Sequence, residues 1–186
     1  MKSPLFISSQ ASFSPCGLYR WSLNRRISRK TNTLIFIGLN PSKACSKFDD
    51  PTIRRLLSFS KRWNYGTLIV LNLFAKISFS PSMLGKSLDP IGSRNDEELS
   101  KWIYQWSNNP LYELWLGWGN KGVLNNRNLE VISFLEINEI VRRSQYPDAS
   151  GPLTLGLTNK GHPRHPLYIS NRESLRPLDL RCKEYI

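Results

Sequence analysis

Two short apolar runs, Leu34-Ile35-Phe36-Ile37 closing on Gly38 and Thr67 to Phe74, constrain this chain more than any other feature. Neither alternates polar with apolar residues, so both suit strands buried on two faces. The segment between them has a different period. Asp50-Pro51 is a helix start, a side-chain cap followed by proline at the first helical position. Ile53, Leu56, Leu57 and Ser60 supply one face of that helix, and Arg54, Arg55, Lys61 and Arg62 the other. Asn64-Tyr65-Gly66 stops it.

The alternation continues downstream. Ser80-Pro81 begins a short turn or helix, and Ser93 is expected to cap a helix with Glu97 and Glu98 early and Trp102, Ile103 and Trp106 on its apolar face. Leu111 to Trp118 reads as a strand, residues 127–136 as a helix, and Leu153 to Leu157 as a short strand. Upstream, Tyr19, Trp21 and Leu23 alternate with Arg20 and Ser22, the period of a half-buried strand. The pattern predicts an α/β protein: a three-layer α/β/α sandwich around a central, mainly parallel four-stranded sheet, with an N-terminal β-hairpin-like segment. A chain of 186 residues suits one domain. Its core is expected over residues 12–169, with 1–11 and 170–186 peripheral or flexible.

Charge narrows the partners. Lys+Arg number 26 against 14 Asp+Glu, a net +12, and residues 1–48 contain no acidic side chain at all. A field of that sign favours polyanions, nucleic acid or anionic lipid. The apolar stretches Leu34–Leu39 and Leu68–Leu71 fall far short of the roughly 20 residues that cross a bilayer, so no membrane partner is expected. No charged-then-apolar signal segment opens the chain. Cys16, Cys45 and Cys182 are odd in number and scattered, with no CxxC, which argues against a zinc ribbon or a four-cysteine iron–sulfur cluster. Reduced thiols in a cytoplasmic protein, with no metal and no cofactor, are the expectation. A monomer is expected.

In parallel sheets ligands bind outside the carboxyl ends of the strands, which directs attention to residues 38–50, 72–78, 117–122 and 158–168. In Gly38-Leu39-Asn40-Pro41-Ser42, the Asn40 amide either orients a water or ligand edge, or simply closes the turn. Asn72 interrupts an apolar strand. Burying an unpaired amide costs a few kcal/mol, so it needs a partner, either backbone or the edge of a base. Gly161-His162-Pro163-Arg164-His165-Pro166-Leu167-Tyr168 holds both histidines in a rigid cationic loop suited to a developing anion. Asp50 is accounted for as a helix cap. Asp49 is left either to activate a water or to face solvent.

Four motifs, Phe36 to Ser42, Asp49-Asp50-Pro51-Thr52-Ile53-Arg54-Arg55, Val70-Leu71-Asn72-Leu73-Phe74-Ala75 and Gly161 to Tyr168, resemble the uncharacterised family called domain of unknown function 1643. The similarity runs from about Phe13 to Ile169. That family's pattern in turn resembles the uracil-DNA glycosylase superfamily, which implies a uracil-DNA glycosylase-like fold. By that resemblance Asn40 in a GxNP-type motif positions the hydrolytic water, and Asn72 reads the edge of a base. Trp118-Gly119 is similar to a Trp-Gly motif ending a third strand. His162-Pro163-Arg164-His165-Pro166-Leu167 is similar to an HPSPL-like loop with one extra residue. Either His162 or His165 takes the catalytic place, His162 being preferred, and Leu167 or Tyr168 fills the vacated base stack. Gly38, Leu39, Pro41, Ser42 and Arg164 complete the implied binding set, and Phe48 or Phe74 is the implied stacking ring. Ser42 stands where uracil-specific members carry a bulky Tyr, implying a pocket open to a larger base. The implied activity is a monofunctional, metal-independent DNA glycosylase acting on a flipped base in single- or double-stranded DNA, with the basic first 48 residues on the phosphates. The alternatives are a non-catalytic nucleic-acid-binding module, or a hydrolase of free nucleotides or nucleosides with a nucleobase in its pocket.

Overall fold

In a computed structural model of the chain, which describes residues 6–42, 44–78 and 80–181, the two apolar runs are neighbouring parallel strands. The strands are β1 (Ser8–Phe13), β2 (Arg20–Arg26), β3 (Thr33–Gly38), β4 (Thr67–Asn72), β5 (Tyr112–Leu116), β6 (Leu153–Thr154) and β7 (Arg176–Pro177). They form one sheet in the order β1-β2-β4-β3-β5-β6-β7. The four central strands are parallel, while β1, β2 and β7 join antiparallel at the flanks. The sheet therefore has seven strands rather than the four expected. The hairpin-like segment is not an appendage but its edge, because Leu23 to Arg26 pair with β4.

The helices are α1 (Pro51–Arg62), α2 (Pro81–Leu84), α3 (Asn95–Ser107) and α4 (Arg127–Gln145). Asp50 caps α1 as expected, its Oδ1 accepting the Ile53 N–H at 2.9 Å. Such a cap contributes about 1 kcal/mol. Lys61 and Arg62 in its last turn complement the helix dipole, and Asn64 follows at φ 67°, a left-handed stop that asparagine tolerates. Ser93 does not cap α3; Arg94 holds that position without a side-chain hydrogen bond. Helix α4 runs nine residues past the expected end, to Gln145, because buried Arg142 anchors its last turns to the Asn109, Tyr112 and Ser150 carbonyls. A buried arginine reads as an exposed one in a periodicity count.

Two apolar layers sandwich the sheet. On one face Leu34, Phe36, Leu68, Val70 and Trp115 pack against Ile53, Leu56, Leu57 and Phe59 of α1. Trp115 meets Phe36 and Phe59 edge-on, at centroid distances of 4.9 and 5.6 Å. On the other face Ile35, Ile37, Ile69 and Leu71 meet Leu99, Ile103 and Trp106 of α3, and Val131, Ile132 and Leu135 of α4. Leu178 and Leu180 are buried in this second layer. Within the described part of the tail, 171–181, exposed β7 pairs with β6 and leads Leu178 and Leu180 into the core; Cys182 and the residues after it lie outside the described residues. Among the described residues no helix is long and apolar enough to cross a membrane.

Two of the basic residues in the first 48 are internal. Arg20 and Arg25 are fully buried in β2. Arg25 is satisfied by Asp49 at 2.7 Å and by the Cys45 carbonyl at 2.6 Å. They are withdrawn from any phosphate contact, and the acid-free block offers less surface charge than its composition suggests.

Candidate active site

The parallel register places Gly38 of β3 opposite Asn72 of β4, so both strands end at one level. Just beyond them lies a chamber of about 40 Å³ lined by Arg20, Phe36, Gly38, Asp50, Asn72 and His165, among others. An outer cleft of about 340 Å³ shares Leu39, Asn40, Ser42, Thr52 and His165 with it, and adds Ser78, Trp118, Lys121 and Tyr168. This is the carboxyl edge of the parallel strands, where the topology favours a ligand.

The Asn40 Nδ2 donates to the Ser78 carbonyl at 2.9 Å and to the Pro41 carbonyl at 3.0 Å. Two carbonyl partners require the NH₂ end of the amide, so Oδ1 is not engaged by those two bonds, and Asn40 lines both chamber and cleft. Asn72 is held differently. Its backbone carbonyl and that of Leu73 accept from Asn95 Nδ2 at 3.2 and 2.8 Å. Its side chain is only 4% exposed, yet Nδ2 has no hydrogen-bond partner. A Cβ on Gly38 would stand 3.1 Å from its Oδ1, so glycine there leaves the amide its room. Among the described residues neither the backbone nor another side chain claims that donor.

The histidine loop is shaped by distant backbone. Leu157 and Pro163 bridge, the Thr158 N–H donates to the His162 carbonyl at 2.8 Å, and Gly161 turns the chain at φ 79°. A further bond from the Gly119 N–H to the Pro163 carbonyl, at 2.8 Å, ties the loop to the end of β5. His162 is consequently turned into the layer behind the sheet edge, against Trp118, Ile132, Leu178 and Leu180. His165 is the histidine that faces both chamber and cleft. Its Nδ1 accepts the Leu167 N–H at 3.3 Å, which places the proton of the neutral ring on Nε2. Burial lowers the pKa of His165 below the ordinary histidine value, against a smaller opposing pull from Asp50. The shift favours the neutral ring.

The remaining expected residues divide. Gly38, Leu39 and Ser42 line the chamber, and Trp118 lines the outer cleft. Pro41 contributes its carbonyl to Asn40 and to the Ser78 N–H, and its ring is buried. The Arg164 side chain is exposed and Leu167 lies outside the cleft lining, whereas Tyr168, 80% exposed, stands at the mouth. Asp49 is turned away to Arg25, and the adjacent carboxylate, Asp50, lines the chamber while capping α1. Of the two rings the resemblance offers for stacking, Phe48 is 72% exposed and Phe74 is buried in the α3–α4 layer. Phe36 is the aromatic wall of the chamber.

Arg20 was not legible as a site residue. It is 2% exposed, Nη1 donates to the Ala44 carbonyl at 2.9 Å, and Nε has no partner. Burial pushes its pKa down to about 10, with Asp50 acting in the opposite sense. Its signal was an arginine set between Tyr19 and Trp21 of a strand. Among the described residues no group of three or more His, Cys, Asp or Glu side chains is placed to hold a metal ion.

These features define a mixed α/β protein with a polar chamber at the carboxyl edge of its parallel strands. Residues 20–167 match the family described as Protein of unknown function (DUF1643), and the chain belongs to that family. No curated protein and no solved structure matches it.

Proposed function

We propose that the cleft binds a nucleobase by its polar edge and hydrolyses the N-glycosidic bond behind it, on DNA held by the basic surface. The observation that carries this reading is the buried, unpartnered Asn72 Nδ2 beside the aromatic Phe36. A buried amide without a partner is unfavourable by about 1–3 kcal/mol, and a carbonyl on a planar ligand would remove that penalty. The chamber takes an edge, while the larger cleft has room for ring and sugar. Ser42, small, leaves the entrance open to a base larger than uracil.

Chemistry then divides between two sides. Asn40 Oδ1 accepts a hydrogen bond from the attacking water and orients it, and Asp50 takes the proton the water releases. The C1′–N bond breaks with its electron pair on the base nitrogen. Neutral His165 donates Nε2–H to the charge that builds there. Positioning and electrostatics of this kind need only the side chains named. A flipped nucleotide gives up a few kcal/mol of stacking, and Tyr168 at the mouth is the ring placed to replace it.

The test is base release by mass spectrometry. Oligonucleotides carrying uracil, mismatched thymine, hypoxanthine, or oxidised and alkylated bases are incubated with wild type and Asn40→Ala, alongside free nucleosides. Release by wild type alone supports the reading and names the base. Release from nucleosides but not oligonucleotides replaces DNA with a small substrate, and no release from any of them overturns hydrolysis.

A further inference from the structure

Two residues that line the same small chamber, Asn72 and Arg20, each carry a buried donor, Nδ2 and Nε, with no hydrogen-bond partner among the described residues. Arg20 is the more unusual of the two. It is a buried cation at the start of β2, beside the edge strand β1, and among the described residues it takes part in no ion pair. Arg25, five residues on and equally buried, shows how this fold treats a structural arginine: a carboxylate and two carbonyls surround it. Among the described residues Arg20 has one carbonyl, from Ala44, and it lines the chamber. A buried guanidinium left in that state is strongly unfavourable unless an anion or a set of acceptors meets it.

The walls define what can meet it. Phe36, Val70 and Ile53 give the chamber apolar walls, which suits a ring edge more than a tetrahedral oxyanion. Asp50 sits in the same lining and repels a compact dianion such as phosphate. A planar, acceptor-rich ring satisfies the two donors together: carbonyls to Asn72 and Arg20, beside the aromatic Phe36.

We propose that Arg20 is a substrate-contacting residue which selects keto-rich bases and holds the departing base as its anion. This rests on the glycosidic reading of the cleft and deepens it. When the C1′–N bond breaks, its electron pair enters the ring and spreads onto the carbonyl that faces Arg20. The water supplies OH to C1′, and the proton it sheds to Asp50 later neutralises the base. A charge-assisted hydrogen bond to the leaving group is stronger in the transition state than in the ground state, so it accelerates the bond-breaking step.

Calorimetry with two free ring probes at neutral pH separates this from the hydrolytic reading. Barbiturate is a planar anion with carbonyls around its ring; cytosine is a neutral ring of the same size with an amino group on its edge. Wild type is expected to bind barbiturate at least about tenfold more tightly than cytosine. Arg20→Gln is expected to bring that ratio close to one, and Arg20→Lys, which keeps the charge, to retain part of it. Equal affinities in wild type, or an unchanged ratio in folded Arg20→Gln, overturn the assignment. If neither variant folds, the wild-type ratio decides alone. Base release without a barbiturate preference sinks the Arg20 role and leaves hydrolysis standing. A barbiturate preference without base release supports the anion chamber and removes the hydrolysis.

Discussion

The side chain of Asn40, at the end of the first buried strand, donates to the carbonyl of Ser78, beyond the end of the second, at 2.9 Å. One amide thereby links the loops that follow two adjacent parallel strands at the lining of the cleft. Asn40→Ala should abolish base release while leaving barbiturate binding within about threefold of wild type. Loss of its two hydrogen bonds should lower stability by about 1–3 kcal/mol in urea unfolding. Asn40→Asp should be as inactive, because a carboxylate cannot donate to the two carbonyls. Wild-type turnover by either variant would remove Asn40 from the mechanism.

Gly38 and Gly117 flank Phe36 from neighbouring strand ends. A Cβ at Gly38 would approach the ring to 2.8 Å, and one at Gly117 to 2.6 Å. Either alanine variant must displace the aromatic wall of the chamber, at about 1–3 kcal/mol of stability for overpacking. Gly38→Ala also crowds Asn72 Oδ1, so it should weaken base binding more than Gly117→Ala at similar stability. Calorimetry and thermal melts on both variants check the order.

The Arg25–Asp49 ion pair is a structural clamp, with the Arg25 side chain fully enclosed. Asp49→Asn removes its charge partner and should destabilise by about 3–5 kcal/mol, the range for breaking one side of a buried pair. The expected deficit is in folded fraction, not in rate per folded molecule. A specific rate reduced in proportion to nothing but folded protein supports the clamp; a rate lost in fully folded Asp49→Asn would restore Asp49 as a water activator.

Both histidines are shifted downward by burial. The native state therefore prefers neutral rings, and the unfolded chain binds more protons between the depressed native values and about 6.5. Stability is fully present above that ordinary value and declines as pH falls through the window to the native pKa values. Activity should show an acid limb in the same window if it needs neutral His165. His165→Gln should remove the limb along with most of the rate, whereas His162→Gln should alter stability and leave the limb in place. Urea titrations and pH–rate profiles read the two effects separately.

Much of the frame was legible from local pattern. The unbroken apolar runs of β3 and β4, the Asp50-Pro51 start of α1 and its amphipathic face are set by side chains within a few residues, and the loop positions followed from the parallel connections. Strand number was not, because β1 and β2 pair with the sheet edge through hydrogen bonds that any half-polar strand could make. Nor was β7, two residues whose place depends on partners in β6 and on the burial of Leu178 and Leu180.

The site shows the same division more sharply. The residue types and their order along the chain, an amide after each of two strands and a doubled histidine loop, were set by sequence alone. Which member of each near-duplicate pair faces the chamber was decided in three dimensions. Asp50 enters and Asp49 leaves because Arg25 captures the latter; His165 enters and His162 leaves because the 157–163 turn is held by the bridge of Leu157 to Pro163 and the bond to Gly119. Arg20 and Phe36 came to line the chamber only when β2 lay against β4 and Gly38 and Gly117 made room for the Phe36 ring. Side-chain direction in a loop depends on backbone bonds to residues far along the chain, and local periodicity carries no record of those.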